Sequence, residues 1–171
     1  MNNLIEKRFS PYDFDASYEL DENQIQELFE AARWAPSSYN EQPWKFHYAT
    51  RQNKEGFKKL YEVILDSNKP WSGDVSILIL GTANTVFKRN GKTNRHAFYD
   101  LGQSVQSMIL QATEMGLHAH QMGGYSVEKA RAAFDLPENV EPVVMIAIGK
   151  RIGTDVPDRS RKDVKEIFVE A

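Results

Sequence analysis

Apolar residues recur along this chain at two spacings, and the two alternate. In residues 21–35, Ile25, Leu28, Phe29 and Ala32 fall at helical spacing. Asp21 stands as an N-cap with Gln24 in capping-box position, and Pro36 ends the helix. Residues 54–66 repeat the pattern, with Phe57, Leu60, Tyr61 and Ile64 inward. The longest stripe, Leu101, Val105, Met108, Ile109 and Ala112, predicts a helix over 96–115 that Gly116 stops. A shorter helix is predicted over 126–137, with Ser126 as its N-cap. Between these lie four strand-like runs: 45–50, with alternating aromatics, 75–82, 117–122 and 142–149. The runs 75–82 and 142–149 are almost wholly apolar, as strands covered on both faces are. Four strands and four helices predict helices packed on a sheet, an α+β or α/β sandwich. Residues 152–171 have no core of their own beyond Ile167, Phe168 and Val169, so that tail must dock elsewhere. A partner subunit is the expected place.

Composition narrows the chemistry. The 171 residues suit one domain, 1–171. The formal net charge of −3 disfavours non-specific nucleic-acid binding. The absence of cysteine excludes disulfides, thiolate metal sites and cysteine nucleophiles. No apolar run reaches the ~18 residues of a membrane span, and residues 1–14 lack the apolar core of a secretory signal. A cytoplasmic protein without a membrane partner is expected.

Several motifs fail. The Gly that a phosphate-binding loop ending in Asn90-Gly91-Lys92-Thr93 requires is Val86, which leaves a solvated hairpin or a loop leading into a helix. A dinucleotide fingerprint is absent. His118 and His120 share one strand face but lack a third ligand, so no metal is predicted. No nucleophile elbow surrounds Ser37 or Ser38.

Three polar islands remain: residues 7–14, residues 34–50 and residues 157–163. Arg8 near the start and Arg159 and Arg161 near the end can converge on one phosphate, which guanidinium binds in bidentate fashion. Ser10, Ser37 and Ser38 offer hydroxyls. Asn40, Gln42 and Asn68 offer amides that suit the edge of a planar heterocycle.

The order of these islands resembles the nitroreductase family of flavin mononucleotide (FMN) oxidoreductases. Arg8, Ser10 and Phe14 match that family's opening R-x-S-x-[RK]-x-F signature. Ala35, Pro36, Ser37, Asn40, Gln42, Pro43 and Trp44 match its A-P-S-x-x-N-x-Q-P-W segment. Residues 67–71 are similar to its Asn-containing segment, and residues 100–117 to its central helix. Gly123 and Gly124 stand where members approach the flavin ring with main-chain groups. Arg159 and Arg161 resemble the C-terminal basic pair. One departure is Tyr12, which occupies a basic position of the first signature and leaves Arg161 or Lys162 to compensate. The stretch between the central helix and the last strand, where relatives carry a lid, is short.

The resemblance implies an α+β fold, a three-layer α/β sandwich whose central, mostly antiparallel sheet is flanked by helices. It implies an intertwined homodimer with FMN at the subunit interface. The implied cofactor site comprises Arg8, Phe9, Ser10, Pro36, Ser37, Ser38, Asn40, Gln42, Asn68, Gly123, Gly124, Arg159 and Arg161, with no catalytic side chain, because flavin N5 carries the chemistry. Tyr39, Trp71 and Phe87 are candidates for the pocket wall. The implied reaction is hydride transfer from NADH or NADPH to nitroaromatics, quinones or similar small acceptors. The competing expectation is a flavin-binding sensor or storage protein without turnover.

Overall fold

The computed structural model describes residues 1–170. Ala171, the last residue of the segment expected to dock, lies outside the described residues. Four strands, β1 (Trp44–Thr50), β2 (Ile77–Asn84), β3 (His118–Met122) and β4 (Val140–Gly149), form one sheet in the order β1-β2-β4-β3. Every neighbouring pair is antiparallel. The sheet is thus more regular than the mostly antiparallel one expected. The helices are α1 (Asn3–Lys7), α2 (Glu22–Arg33), α3 (Lys54–Val63), α4 (Lys69–Ser72), α5 (Ala97–Glu114) and α6 (Val127–Ala133).

The apolar run of β2 explains the layering. Ile77, Leu78, Ile79 and Leu80 are all fully buried, but successive side chains point to opposite faces. Ile77 and Ile79 join Leu28 and Ala32 of α2 and Leu101, Val105, Met108 and Ile109 of α5. Leu78 and Leu80 join Phe57, Leu60 and Val63 of α3 and Ala130 of α6. Helices therefore cover both faces, giving three layers. At ~1.5–3 kcal/mol per fully buried aliphatic side chain, these two interfaces are the main source of stability. The five α5 positions expected inward are all buried. Gly116, at φ +69°, closes α5 with a Schellman pair, Leu117 N–H to Ala112 O and Gly116 N–H to Thr113 O.

Some boundaries differ from expectation. α3 ends at Val63, because Ile64 turns extended and bridges to Tyr125. α6 ends at Ala133, before the left-handed Asp135. β2 starts at Ile77, so Val75 and Ser76 precede it. The short helices α1 and α4 gave no readable stripe, since α1 buries nothing and α4 spans a single turn. Beyond β4 the tail is clipped at its root by Arg151 Nε on Asp13 Oδ1 at 3.0 Å and by Gly153 N–H on Asp13 Oδ2 at 3.1 Å. Further on it exposes Val164, Ile167, Phe168 and Val169.

Candidate functional site

The chain ends meet. Arg159 donates Nη1–H to Arg8 O and Nη2–H to Glu6 O, both at 2.6 Å. Arg8 reaches Ser10 Oγ at 3.4 Å. Arg8, Arg159 and Arg161 line one concavity of about 370 Å³ with Met1, Ile5 and Glu6. Among the described residues none of the three forms an ion pair. Burial, then the charges of Arg159 and Arg161, hold the Arg8 guanidinium below its ordinary value. Three like charges against the single carboxylate of Glu6, which pairs with none of them, suit a polyanion with several acceptor oxygens, which a phosphate is. Phe9 does not line this concavity. It is buried, edge-on to His118 and beneath the guanidinium groups of Arg151 and Arg159. Its side chain is therefore committed to packing.

Next along the same edge of the sheet, the chain leaving β3 meets the segment before α4. Asn68 Nδ2 donates to Gly124 O at 3.3 Å. A Cβ on Gly124 would lie 2.4 Å from that nitrogen, whereas Gly123 has open space around it. Trp71 is buried here with an unpartnered Nε1 and packs on Tyr12, Phe14 and His120. Tyr12 thus occupies a basic position of the signature with aromatic packing, and Arg161 stands in the charge cluster beside Arg8.

The Pro36–Gln42 segment lies at the other edge, between the end of α2 and the start of β1. Tyr39, Asn40 and Gln42 all have left-handed backbones, with φ of 56°, 54° and 48°. Each such conformation costs on the order of 1 kcal/mol for a non-glycine residue and persists only where neighbours enforce it. Ser37 Oγ accepts from Gln42 N–H at 3.0 Å, and the buried Asp100 accepts from Ser38 N–H at 3.0 Å. Glu41 Oε1 accepts from Lys88 N–H at 2.5 Å. The exposed amides of Asn40 and Gln42 bond one another at 3.2 Å. Tyr39 stands edge-on to Phe87, so two of the wall candidates meet while Trp71 lies elsewhere.

The expected site residues therefore fall into two groups in one chain. Arg8, Ser10, Asn68, Gly123, Gly124, Arg159 and Arg161 flank β3, and Pro36, Ser37, Ser38, Asn40 and Gln42 precede β1. Those strands are opposite edges of the sheet, roughly 14 Å apart at ordinary strand spacing. Three supports escaped the sequence reading: Asp13, Asp100 and Glu41. Asp100 had a signal, since it lies on the same helix row as Ser104 and Met108.

The family model described as "Nitroreductase family" matches residues 5–74 and 68–150. The chain belongs to the nitroreductase family. It is 45% identical over 191 aligned positions to an oxygen-insensitive NADPH nitroreductase of Helicobacter pylori strain 26695, covering 93% of this chain and 90% of that one. Protein DrgA of Synechocystis is 26% identical over 93% of this chain and 87% of its own. Among solved structures, an oxidoreductase containing FMN superposes with a TM-score of 0.84 at 28% identity, covering 90% of this chain and 78% of that one. A nitroreductase family protein from Clostridium difficile 630 superposes with a TM-score of 0.79 at 25% identity, over 99% and 98% of the two chains.

Proposed function

We infer that this protein is an FMN-dependent oxidoreductase of the nitroreductase type, acting as a homodimer. The observation that carries the reading is the convergence of Arg8, Arg159 and Arg161 from both chain ends into one unpaired cationic corner. That donor set fits the FMN phosphate, with Ser10 adding a hydroxyl. When bound, FMN supplies hydride transfer from NAD(P)H through its N5 to a nitroaromatic, quinone or similar electron-poor acceptor.

The chain's own groups divide the remaining work. Arg8, Arg159 and Arg161 neutralise and anchor the phosphate. Asn68 is positioned by Gly124 O and offers its amide to the ring edge. Gly123 lets main chain approach the ring without a Cβ in the way. Asn40 and Gln42 are held exposed by a strained segment, a preorganised pair of amides whose present partner is each other.

The split between the two sheet edges supports the dimer. A second copy lying against α5 would bring its own Pro36–Gln42 segment to the corner of the first. The exposed face of α5 has the character of an interface. Pro36, Phe98, Tyr99, Gly102 and Gln106 line a shallow groove of about 470 Å³, with Phe98 and Tyr99 largely exposed. The tail's exposed Ile167, Phe168 and Val169 would be buried by the same partner.

The test is the visible spectrum of the purified protein, reconstituted with FMN where needed, before and after anaerobic NAD(P)H. A flavin spectrum that bleaches is expected. A protein that retains no FMN overturns the reading. Retained flavin that neither donor bleaches transfers it to the sensor or storage class.

A further inference from the structure

The stretch 86–96 touches the Pro36–Gln42 segment through Phe87 and Lys88, but its cationic side chains have no part in the site above. The chain carries a formal net charge of −3, yet this stretch holds Lys88, Arg89, Lys92 and Arg95 and no carboxylate. Among the described residues none of these four cations forms an ion pair. A basic surface loop is ordinarily a solvated feature. Two observations separate this one from that case.

First, the loop is built. Val86 bridges to Thr93, Phe87 N–H donates to Lys92 O at 2.8 Å, and Gly91 takes φ +70° at the turn. Asn90 Oδ1 accepts from Lys92 N–H at 3.0 Å. Second, it is fastened to the strained Pro36–Gln42 segment. Glu41 holds Lys88 N–H at 2.5 Å, and the Arg89 guanidinium lies 3.8 Å above the Tyr39 ring. Phe87 completes the same cluster, edge-on to Tyr39 and with the Arg89 guanidinium 5.6 Å from its ring centroid. The fastening uses main chain and the face of an aromatic ring. Apart from the Glu41 carboxylate at the root, it leaves the cationic charges uncompensated and the guanidinium N–H edges free.

We propose that this hairpin selects the hydride donor: Arg89, with Lys88 beside it, binds the 2′-phosphate of NADPH, so the protein uses NADPH in preference to NADH. This rests on the oxidoreductase reading above. The two donors differ only at the ribose 2′ position, a dianionic phosphate in one and a hydroxyl in the other. Arg89 supplies the planar, permanently charged fork that a phosphate takes in bidentate fashion. Its position above Tyr39 places that fork at the rim of the segment assigned to the flavin wall, which a second copy would bring to the flavin of the first. Lys92 and Arg95, on the returning limb, add a field that raises the encounter rate of the more highly charged donor.

The test compares wild-type protein with the Lys88→Gln/Arg89→Gln variant in two measurements. In the first, the FMN-loaded proteins are assayed with each donor, and the ratio of kcat/KM for NADPH to that for NADH is read. The wild-type ratio should exceed one by at least about tenfold, and the variant should lose about 10- to 100-fold of it. In the second, flavin-loaded protein is titrated calorimetrically with 2′,5′-ADP and with AMP, probes that carry only the distal half of each donor. The wild type should bind 2′,5′-ADP the tighter, and the variant should not discriminate. A wild-type ratio near one, an unchanged ratio in the variant, or equal binding of the two probes overturns the proposal. If neither donor reduces the flavin, the oxidoreductase reading fails, and the titration alone decides whether the hairpin recognises a 2′-phosphate.

Discussion

Arg159 donates Nη1–H to the main-chain oxygen of Arg8 at 2.6 Å, across 151 residues of sequence. The bond ties a tail with little core of its own to the start of the fold. It also sets a second guanidinium beside the first. Burial, then the charges of Arg159 and Arg161, already hold Arg8 below its ordinary value, so an anion bound beside it would be favoured.

Arg8→Ala should therefore weaken FMN binding by about 10- to 100-fold, the loss of one charge-assisted hydrogen bond at ~1.5–3 kcal/mol. The flavin-free variant should be no less stable than wild type, since a repelled cation has been removed. FMN titration by fluorescence quenching and thermal melting of the apoprotein measure the two effects. Unchanged affinity would remove Arg8 from the site.

Gly102→Arg tests the partner face. Gly102 lies in α5 with no atom within 4 Å of where its Cβ would stand, so the monomer has room for a side chain. Replacing Gly in a helix interior should favour the helix by up to ~1 kcal/mol. Against a second copy packed on α5, the guanidinium would be a clash and a buried charge. The variant is expected to keep its helical circular dichroism, to sediment as a monomer and to lose FMN. A dimeric, flavin-bearing variant would place the interface elsewhere.

Gly123 and Gly124 separate ligand approach from local packing. Gly123→Ala should leave the apoprotein's melting temperature unchanged, because nothing lies within 4 Å, but should reduce flavin occupancy if main chain meets the ring there. Gly124→Ala should lower both, because its Cβ would stand 2.4 Å from Asn68 Nδ2 and displace that amide. Equal flavin content in Gly123→Ala and wild type would exclude the close approach.

Much of this was legible in the sequence because local pattern and tertiary outcome agree. The stripe of α5 is buried at every expected position, and the unbroken apolar runs of β2 and β4 are indeed covered on both faces. The polar islands stood out as candidate ligand-binding segments, since their Ser, Asn and Gln residues fit neither apolar period. Their division between two sheet edges was not legible. It follows from the strand order β1-β2-β4-β3, which depends on long-range pairing that no residue spacing encodes. The supports were hidden for a related reason. Glu41 earns its place only through Lys88 N–H, 47 residues away, and Asp13 through Arg151 and Gly153, 138 and 140 residues away.

The histidines predict how stability depends on pH. Burial, above all, depresses His47, with Lys45 and Lys59 adding to it. Burial likewise depresses His118, reinforced by Arg151 and Lys150 and opposed by Asp13. His120 is depressed by burial against a smaller upward effect of Pro11 O, which faces Nδ1 at 2.8 Å. Trp71 and Tyr12 pack against its ring. A depressed folded-state value means that the unfolded chain takes up protons first. Above pH ~6.5 the three are neutral in both states and no stability is lost. As pH falls below ~6.5 the unfolded state gains protons that the folded state refuses, and stability declines until the folded-state values are passed. The urea midpoint should accordingly fall between pH 7 and pH 5.5, above the range where ordinary carboxylates titrate. His120→Gln should flatten that decline, by up to ~1.4 kcal/mol per pH unit, whatever it does to stability at pH 7.5. The slope, rather than the level, is the readout. An identical slope in the variant would mean that His120 titrates alike in both states.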